Sequence, residues 1–206
     1  MKYNGPKARL CRKHGINLFG SDKYDKIVQR KPYGPGKSAK FRPMGKPSEY
    51  SIQLKEKQKA RDIYGLSERQ FRRLYDTAAK IPGQTGDVLK QLLERRLDNV
   101  VYRAGLAKTR MQSRQLVGHG AFLVNGVRVT VPSFQVKPGM KITVRPQMKT
   151  SPVFPPIIEA NQKYMPPTWM KVDAAALSIE VNTLPTAANA EQAVEMRQII
   201  EFYSRN

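Results

Sequence analysis

Residues 109–129, TRMQSRQLVGHGAFLVNGVRV, decide the fold. Thr109 followed three residues later by Gln112 is a capping box, which predicts a short helix that ends at the Gly118–Gly120 loop. The segment FLVNGVRV comes next and alternates apolar and polar residues around Asn125-Gly126. Both residues of this pair tolerate positive φ, so the pair predicts a two-residue turn between antiparallel strands. We therefore expect a short helix followed by a tight β-hairpin.

The sequence on either side extends this unit. Downstream, Lys137-Pro138-Gly139-Met140 predicts a type II turn, and the alternating residues 141–145 predict a third strand. Upstream, apolar residues at helical spacing predict a single helix that begins at Thr85 or Asp87 and ends at Gly105. Residues 95–146 are thus expected to form a helix–helix–hairpin–strand module.

Two more helices are predicted before the module. The first begins at an N-cap, Ser48, and ends at Gly65. The second has Ser67 and Gln70 as a capping box and is terminated by Ile81-Pro82-Gly83. Residues 48–94 therefore predict a helical domain. Val194, Ile199, Ile200 and Phe202 near the C-terminus form a stripe that is typical of a core-facing helix.

The first 47 residues differ from the rest in composition. They are rich in Gly, Pro, Lys and Tyr, and the stretch RKPYGPGKSAKFRPMGKP has neither helical nor strand periodicity. Prolines at positions 32, 35, 43 and 47 fix φ and remove backbone donors. Residues 1–47 are therefore predicted to form an extended basic arm. The predicted fold class is α+β, with a mostly helical domain, the helix–helix–hairpin–strand module and this arm.

Charge indicates the kind of partner. The chain carries 37 Lys and Arg against 16 Asp and Glu, a formal net charge of +21 on 206 residues. Residues 1–47 and 48–146 each contribute a net +11, whereas residues 147–206 contribute −1. Residues 99–145 hold eight Lys or Arg and no acidic residue. So large and uneven an excess favours a polyanionic partner, of which nucleic acid is the commonest in a cell.

Candidate RNA ligands follow from these elements. Arg110 and Arg114 lie one helical turn apart on the short helix, and three arginines of the second helix fall away from its apolar stripe. His119, between two glycines, is interpreted as a phosphate or ribose contact. The predicted nucleic-acid-binding residues are Arg69, Arg72, Arg73, Arg103, Lys108, Arg110, Arg114, His119 and Arg128.

Catalysis, a metal site and a membrane are not expected. The sequence shows no carboxylate pair, phosphate-binding glycine loop or nucleophile elbow. A single cysteine, Cys11, cannot by itself hold zinc, which needs about four ligands in a structural site. The N-terminus has positive charges but no apolar run after them, so neither a secretory signal nor a membrane span is predicted. We expect no cofactor.

Residues 96–139, RLDNVVYRAGLAKTRMQSRQLVGHGAFLVNGVRVTVPSFQVKPG, closely resemble the RNA-binding module of the ribosomal protein S-four family. The resemblance continues upstream in PSEYSIQLKEKQKARDIYGLSERQFRRLY and TGDVLKQLLERRLDNVVYR. It continues downstream in PPTWMKVDAAAL and IIEFYSRN. It covers the whole chain and is densest over residues 47–146.

The resemblance implies a two-domain body in which residues 95–146 are inserted into a helical domain that residues 147–206 complete. It also implies a structural constituent of the small ribosomal subunit. Such a protein binds the 5′ domain of 16S rRNA early in assembly. It lies beside small-subunit proteins three and five near the mRNA entrance, with a part in translational accuracy. The location implied is the ribosome in the cytoplasm, or in an organelle stroma for an organelle-encoded chain. The family's arm and mRNA-side cations correspond here to Lys37, Lys40, Arg42 and Lys46.

This sequence departs from the family pattern at several positions. Zinc-binding members carry four cysteines in the arm, but only Cys11 matches and Ala8 stands where its partner would be, so no zinc is expected. The usual acidic residue after Pro-Gly is replaced by Met140. Lysine mostly replaces the arginines on the mRNA side, which keeps the charge but loses the bidentate fork.

Two alternatives share the same module. A pseudouridine synthase is suggested by Arg96-Leu97-Asp98, which resembles the run that holds its catalytic aspartate. Here Leu97 belongs to an apolar stripe, Arg95 stands where the enzyme prefers glycine, and we assign Asp98 a structural role beside an arginine. A free-standing translational regulator or ribosome-rescue factor is the second alternative. Such proteins usually lack the arm and flanking helices.

Overall fold

The computed structural model describes residues 3–36, 46–161 and 164–205, and its helices and small antiparallel sheet confirm the predicted α+β class. The helices are α1 (Lys7–His14), α2 (Asp22–Arg30), α3 (Glu49–Tyr64), α4 (Glu68–Lys80), α5 (Thr85–Glu94), α6 (Leu97–Arg103), α7 (Arg110–Gly118), α8 (Pro146–Lys149), α9 (Pro155–Asn161) and α10 (Met196–Ser204). The strands are β1 (Phe122–Val124), β2 (Val127–Arg128), β3 (Lys141–Val144), β4 (Met170–Asp173) and β5 (Ser178–Val181).

The chain divides into two compact units, Met1–Ala79 with Gln192–Asn206, and Lys80–Glu191. In the first unit, helix α10 packs along α3, and the core includes Ile63, Phe71, Ile199 and Phe202. Val194 is also buried and Ile200 half-buried, so the predicted C-terminal stripe faces this core.

Local capping signals fix the ends of α3 and α4. The Ser48 hydroxyl accepts from the backbone N–H of Ser51 at 3.3 Å, and Gly65 ends α3 in the left-handed conformation with φ 62°. At the start of α4, Ser67 Oγ accepts from Gln70 N at 3.4 Å while Gln70 Oε1 accepts from Ser67 N at 3.3 Å. These reciprocal bonds satisfy donors that the first helical turn leaves without a partner, and they confirm the capping box.

The prediction of an extended arm is wrong for residues 7–14 and 22–30, which form α1 and α2. Leu10, Cys11 and Leu18 are buried, so this part of the chain contributes to the core of the first unit. The buried ring of His14 also places Nε2 3.0 Å from Asp62 Oδ2 on α3. Burial of these apolar side chains stabilises the helices without any partner molecule.

The second unit is built around a five-stranded antiparallel sheet, with strand order β2-β1-β3-β5-β4. Its core cluster includes Leu97, Phe122, Ile142, Trp169 and Ile179. The sheet is wider than the predicted module, because β4 and β5 add to the open edge of β3. Residues 147–191 accordingly lie in the same compact unit as residues 95–146, whereas the sequence assigned them to the helical domain.

The single helix predicted from residue 85 to 105 is wrong, since the chain forms α5 and α6 with a break at Arg95-Arg96. Arg96 has an extended ψ of 135° and forms a β-bridge with Gln135. The backbone groups at the break bond to residues 134–136, with Val136 N donating to Arg95 O at 2.9 Å. Residues 134–136 thus supply the backbone hydrogen bonds that a continuous helix would otherwise make at this point.

The hairpin and the turn before β3 confirm the sequence prediction. Asn125 and Gly126 have φ values of 49° and 83°, and they join β1 to β2. Gly139 has φ 80°, and Met140 N donates to Lys137 O at 3.3 Å. The Asn125 carboxamide also accepts from Lys141 N at 2.8 Å, which ties the hairpin turn to the start of β3.

Candidate nucleic-acid interface

Helix α7 carries two of the predicted RNA ligands, Arg110 and Arg114, and Thr109 fixes its start. The Thr109 hydroxyl accepts from Gln112 N at 3.2 Å, as the capping box requires. The Gln112 side chain accepts from Lys108 N at 2.8 Å, one residue before the donor that the box predicts. Lys108 is therefore held by its backbone next to the helix N-terminus while its exposed side chain extends into solvent.

Two of the predicted ligands take part in an internal charge network. Arg103 donates to both carboxylate oxygens of the buried Glu94, at 3.1 Å each. Arg110 donates through Nη2 to Glu191 Oε2 at 2.9 Å and through Nε to Asn99 Oδ1 at 2.9 Å. These bonds give Arg103 and Arg110 a structural role that the sequence did not reveal.

A second set of charges surrounds the start of α6. Arg96 and Asp98 are both buried and form a bidentate pair, with N–O distances of 3.1 and 2.7 Å. Arg114 Nη1 lies 3.8 Å from Asp98 Oδ2. The predicted structural pairing of Asp98 with an arginine is confirmed. Since the carboxylate is committed to two guanidinium groups, Asp98 is not disposed to act as a nucleophile or a base.

Tyr164 lies at one side of this network. Its hydroxyl donates to the backbone carbonyl of Arg103 at 3.0 Å. Burial raises the pKa of Tyr164, only partly offset by the positive charge of Arg103, so the phenol stays protonated as a hydrogen-bond donor. The Arg110 guanidinium lies 4.5 Å from the ring centroid of Tyr102, a cation–π contact.

Arg128 and His119 meet at the open end of the hairpin, away from the Asn125-Gly126 turn. Both side chains are exposed, and Arg128 Nη2 donates to the backbone carbonyl of His119 at 3.2 Å. Gly120 has φ 72°, and a Cβ built at this position would lie 2.6 Å from Arg128 Nη2. The glycine therefore leaves room for the guanidinium to lie on the loop, where it faces solvent.

Helix α4 carries a second basic surface in the first unit. Arg69, Arg72 and Arg73 are all exposed, on the side away from the buried Phe71 and Ala78. Arg72 donates to Asp76 at 3.2 Å and lies 5.0 Å from the Tyr203 ring centroid. Exposed guanidinium groups on one helix are suited to phosphate contacts, since water and salt screen their mutual repulsion.

Predicted cations of the arm are only partly covered by the structure. Lys46 is exposed. Lys37, Lys40 and Arg42 lie outside the described residues.

Sequence reasoning missed several residues of the module surface. Lys137 and Lys141 are exposed and belong to the acid-free stretch, but no motif singled them out. The acids Glu94 and Glu191 were also missed. Glu94 has a sequence signal in retrospect, because it lies among the apolar residues of a predicted helix. The structure buries its carboxylate completely, at 0 % exposure, and such a group requires a cation nearby. Glu191 is 81 residues from Arg110, and local spacing gives no sign of their contact.

The described ranges 3–36, 46–161 and 164–205 show neither a metal site nor a membrane-spanning helix. These residues contain no cluster of three or more His, Cys, Asp or Glu that could hold a metal ion. Within the same ranges no helix has the length and apolar character that crossing a membrane requires. Cys11 is buried, and burial raises the pKa of its thiol, which keeps the sulfur protonated.

Comparison with known proteins decides the family. Residues 2–94 match the family described as "Ribosomal protein S4/S9 N-terminal domain", and residues 95–142 match the "S4 domain". Proteins named "Small ribosomal subunit protein uS4" from Corynebacterium kroppenstedtii and Cutibacterium acnes are 48% and 46% identical, over 204 and 207 residues. The protein of that name from Roseiflexus sp. is 43% identical over 206 residues. Each alignment covers 99% of both chains.

The chain belongs to the uS4 family of small ribosomal subunit proteins. The resemblance seen in the sequence is therefore confirmed. As a uS4 family member it has a structural role in the ribosome and is not an enzyme. Full-length similarity to ribosomal proteins, together with the paired Asp98, argues against the pseudouridine synthase alternative. The same full-length coverage argues against the free-standing regulator.

Proposed function

We propose that this uS4 family protein binds the 5′ domain of 16S rRNA directly and early in assembly of the small subunit. The observation that carries the proposal is the exposed charge of the module. Lys108, Arg128, Lys137 and Lys141 are exposed in a stretch of 47 residues, 99–145, that contains no acid. Cations displayed in this way neutralise phosphates and release the counterions of the RNA.

Helix α4 supplies a second proposed contact surface through Arg69, Arg72 and Arg73. The pairing of Arg72 with Asp76 is solvent-exposed, with 44% and 50% of the two side chains accessible. Such a pair contributes little to stability, so its arginine can exchange the carboxylate for an RNA phosphate. Recognition is expected to depend on shape and backbone contacts, because the major groove of A-form RNA is too narrow for side chains to read.

The finer parts of the proposal follow from family membership. We place the protein beside small-subunit proteins three and five near the mRNA entrance, with a part in translational accuracy. Lys37, Lys40, Arg42 and Lys46 are the residues proposed to face mRNA. The exposure of Lys46 is compatible with this assignment.

Variants of the exposed module cations test RNA binding. The double substitution Lys108→Ala with Arg128→Ala should weaken binding to a 16S 5′-domain transcript by about ten- to hundredfold, because two phosphate contacts are lost. Lys171→Ala is the matched control, since Lys171 is an exposed lysine on β4 in the charge-balanced C-terminal segment. Equal affinities for the two variants would contradict the proposed surface. Filter binding or fluorescence anisotropy gives the comparison.

A further inference from the structure

The carboxylate of Glu191 lies against two arginines of the module. Its Oε2 accepts from Arg110 Nη2 at 2.9 Å and is 3.5 Å from Arg103 Nη2. A quarter of the Glu191 side chain, 25%, is exposed to solvent. Guanidinium groups bind carboxylate and phosphate oxygens with the same fork geometry. An RNA phosphate that approached these arginines would therefore compete with Glu191.

Glu94 is placed differently. Its side chain is 0% exposed, and both of its oxygens accept from Arg103. The amide of Asn99 donates to Glu94 Oε2 at 2.6 Å. Removing a carboxylate from such a site would leave a buried cation without its counter-charge, which is costly. Of the two acids, Glu94 is the fixed partner of Arg103, whereas Glu191 lies where solvent and RNA can reach.

The Arg110 guanidinium has supports that do not depend on Glu191. Asn99 Oδ1 accepts from Arg110 Nε at 2.9 Å, and the Tyr102 ring lies 4.5 Å away. These contacts fix the plane of the guanidinium while Nη2 points to Glu191. The group would keep its orientation if the carboxylate gave way to another anion, so the side chain is preorganised for a phosphate oxygen.

We propose that Glu191 is an internal competitor of rRNA phosphate. It neutralises Arg103 and Arg110 in the unbound protein, and a backbone phosphate displaces it when rRNA binds. Glu191 thereby sets the affinity of the module, because every RNA that uses these arginines must first replace an existing ion pair. This inference rests on the proposed function of rRNA binding and identifies one point at which that binding is regulated.

Glu191→Gln tests the inference, because it removes the charge and keeps the shape of the side chain. Affinity for the 16S 5′-domain transcript should increase about two- to fivefold, the size expected for loss of one partly exposed ion pair. The log–log salt slope should steepen, because the binding surface gains one net positive charge. Glu159→Gln is the control for general electrostatics. Glu159 is an exposed acid on α9 of the same unit, and its substitution should change affinity less than Glu191→Gln.

A double-mutant cycle with Arg110→Ala shows whether Glu191 acts through that arginine. The gain from Glu191→Gln should shrink in the Arg110→Ala background, because the main partner of the carboxylate is absent. The inference is overturned if Glu191→Gln leaves affinity unchanged or weakens it. It is also overturned if the gain equals that of Glu159→Gln or persists undiminished without Arg110. A lower melting temperature with unchanged affinity would show a purely structural role. Failure of the unmodified protein to bind the transcript would instead contradict the proposed function itself.

Discussion

Arg110 and Arg128 belong to the same module but differ in what surrounds their guanidinium groups. Arg110 is bonded to Glu191 and Asn99, and only 13% of its side chain is exposed. Arg128 is exposed, and its guanidinium donates to the His119 carbonyl. The structure therefore assigns a mixed structural and electrostatic role to Arg110, whereas Arg128 can act on a ligand alone.

Single alanine substitutions separate these two roles. Arg110→Ala should lower the free energy of unfolding by about 1–3 kcal/mol, because charge-assisted hydrogen bonds to Glu191 and Asn99 are lost. Arg128→Ala should change it by less than about 0.5 kcal/mol, as is usual for surface positions. Urea unfolding at neutral pH measures both. Equal destabilisation by the two substitutions would show that the Arg110 contacts contribute nothing measurable.

Sequence could anticipate individual residues only where the decisive contact is local. The structural role of Asp98 beside an arginine was predicted, and its partner Arg96 is only two residues away in the sequence. The partners of Arg103 and Arg110 could not be found, since Glu94 and Glu191 approach them only after α5, α6 and α7 have packed. Charge alone marked both arginines as RNA ligands, although each also neutralises an acid of the protein.

At the scale of elements, Glu68 connects three helices of the first unit. Its Oε1 accepts from Lys57 Nζ on α3 at 2.8 Å and from the Tyr203 hydroxyl on α10 at 2.9 Å. Desolvation by burial raises the pKa of Glu68 and is the largest single effect. The hydrogen bonds from Lys57 and Tyr203, together with the nearby positive charges, outweigh it and leave the pKa lowered. The ionised form of Glu68 thus stabilises the packing of α3, α4 and α10.

Acid should remove this contribution. Because the folded pKa of Glu68 lies below the unfolded value of about 4.3, its stabilisation is present above that pH and lost as pH falls through the folded pKa. Wild type should exceed Glu68→Gln in stability at pH 7, and the difference should shrink in acid, below about pH 4. Chemical unfolding at both pH values tests this. Glu49→Gln, at a side chain that is 77% exposed, is the control, and an undiminished Glu68→Gln difference in acid would contradict the account.

Each element that was predicted from the sequence has a local signal that spans only a few residues. Both residues of the hairpin turn, Asn125 and Gly126, favour positive φ, and the Ser67–Gln70 box spans one helical turn. Strands β4 and β5 were missed because the turn between them has no comparable signal. Its positive-φ residue is Leu177, with φ 54°, and Asp173 stabilises the turn by accepting from Ala176 N. Tertiary packing holds the leucine in that conformation, and local sequence propensity does not predict it.

At the scale of the whole molecule, the N-terminal residues contribute to folding. Pro6 at the N-cap and Gly15 in the left-handed C-cap bound α1, and they were available as helix signals in the sequence. The prolines and net charge of residues 1–47 led instead to the prediction of an extended basic arm. Burial of Leu10, Cys11 and Leu18 shows that α1 and the loop after it pack within the protein.

Deletion of residues 1–46 should therefore destabilise the protein. The loss of buried Leu10 and Leu18, and of the His14–Asp62 contact, is expected to lower the free energy of unfolding by about 2–5 kcal/mol. Deletion of residues 1–5 is the control, because the described residues 3–5 are exposed. Circular dichroism melts compare the stabilities of the two truncated proteins. An unchanged melting temperature for the longer deletion would restore the extended-arm interpretation.

The central claim is that the net charge of +21 serves to bind RNA phosphate. Salt-titrated binding of the full chain to a 16S 5′-domain transcript measures this most directly. If several phosphates are neutralised, affinity should fall by a factor of about 10² or more between roughly 50 and 200 mM monovalent salt, with a linear log–log dependence. An affinity that stayed constant across this range would contradict the claim, because it would mean that contacts other than ion pairs with phosphate hold the protein on the RNA.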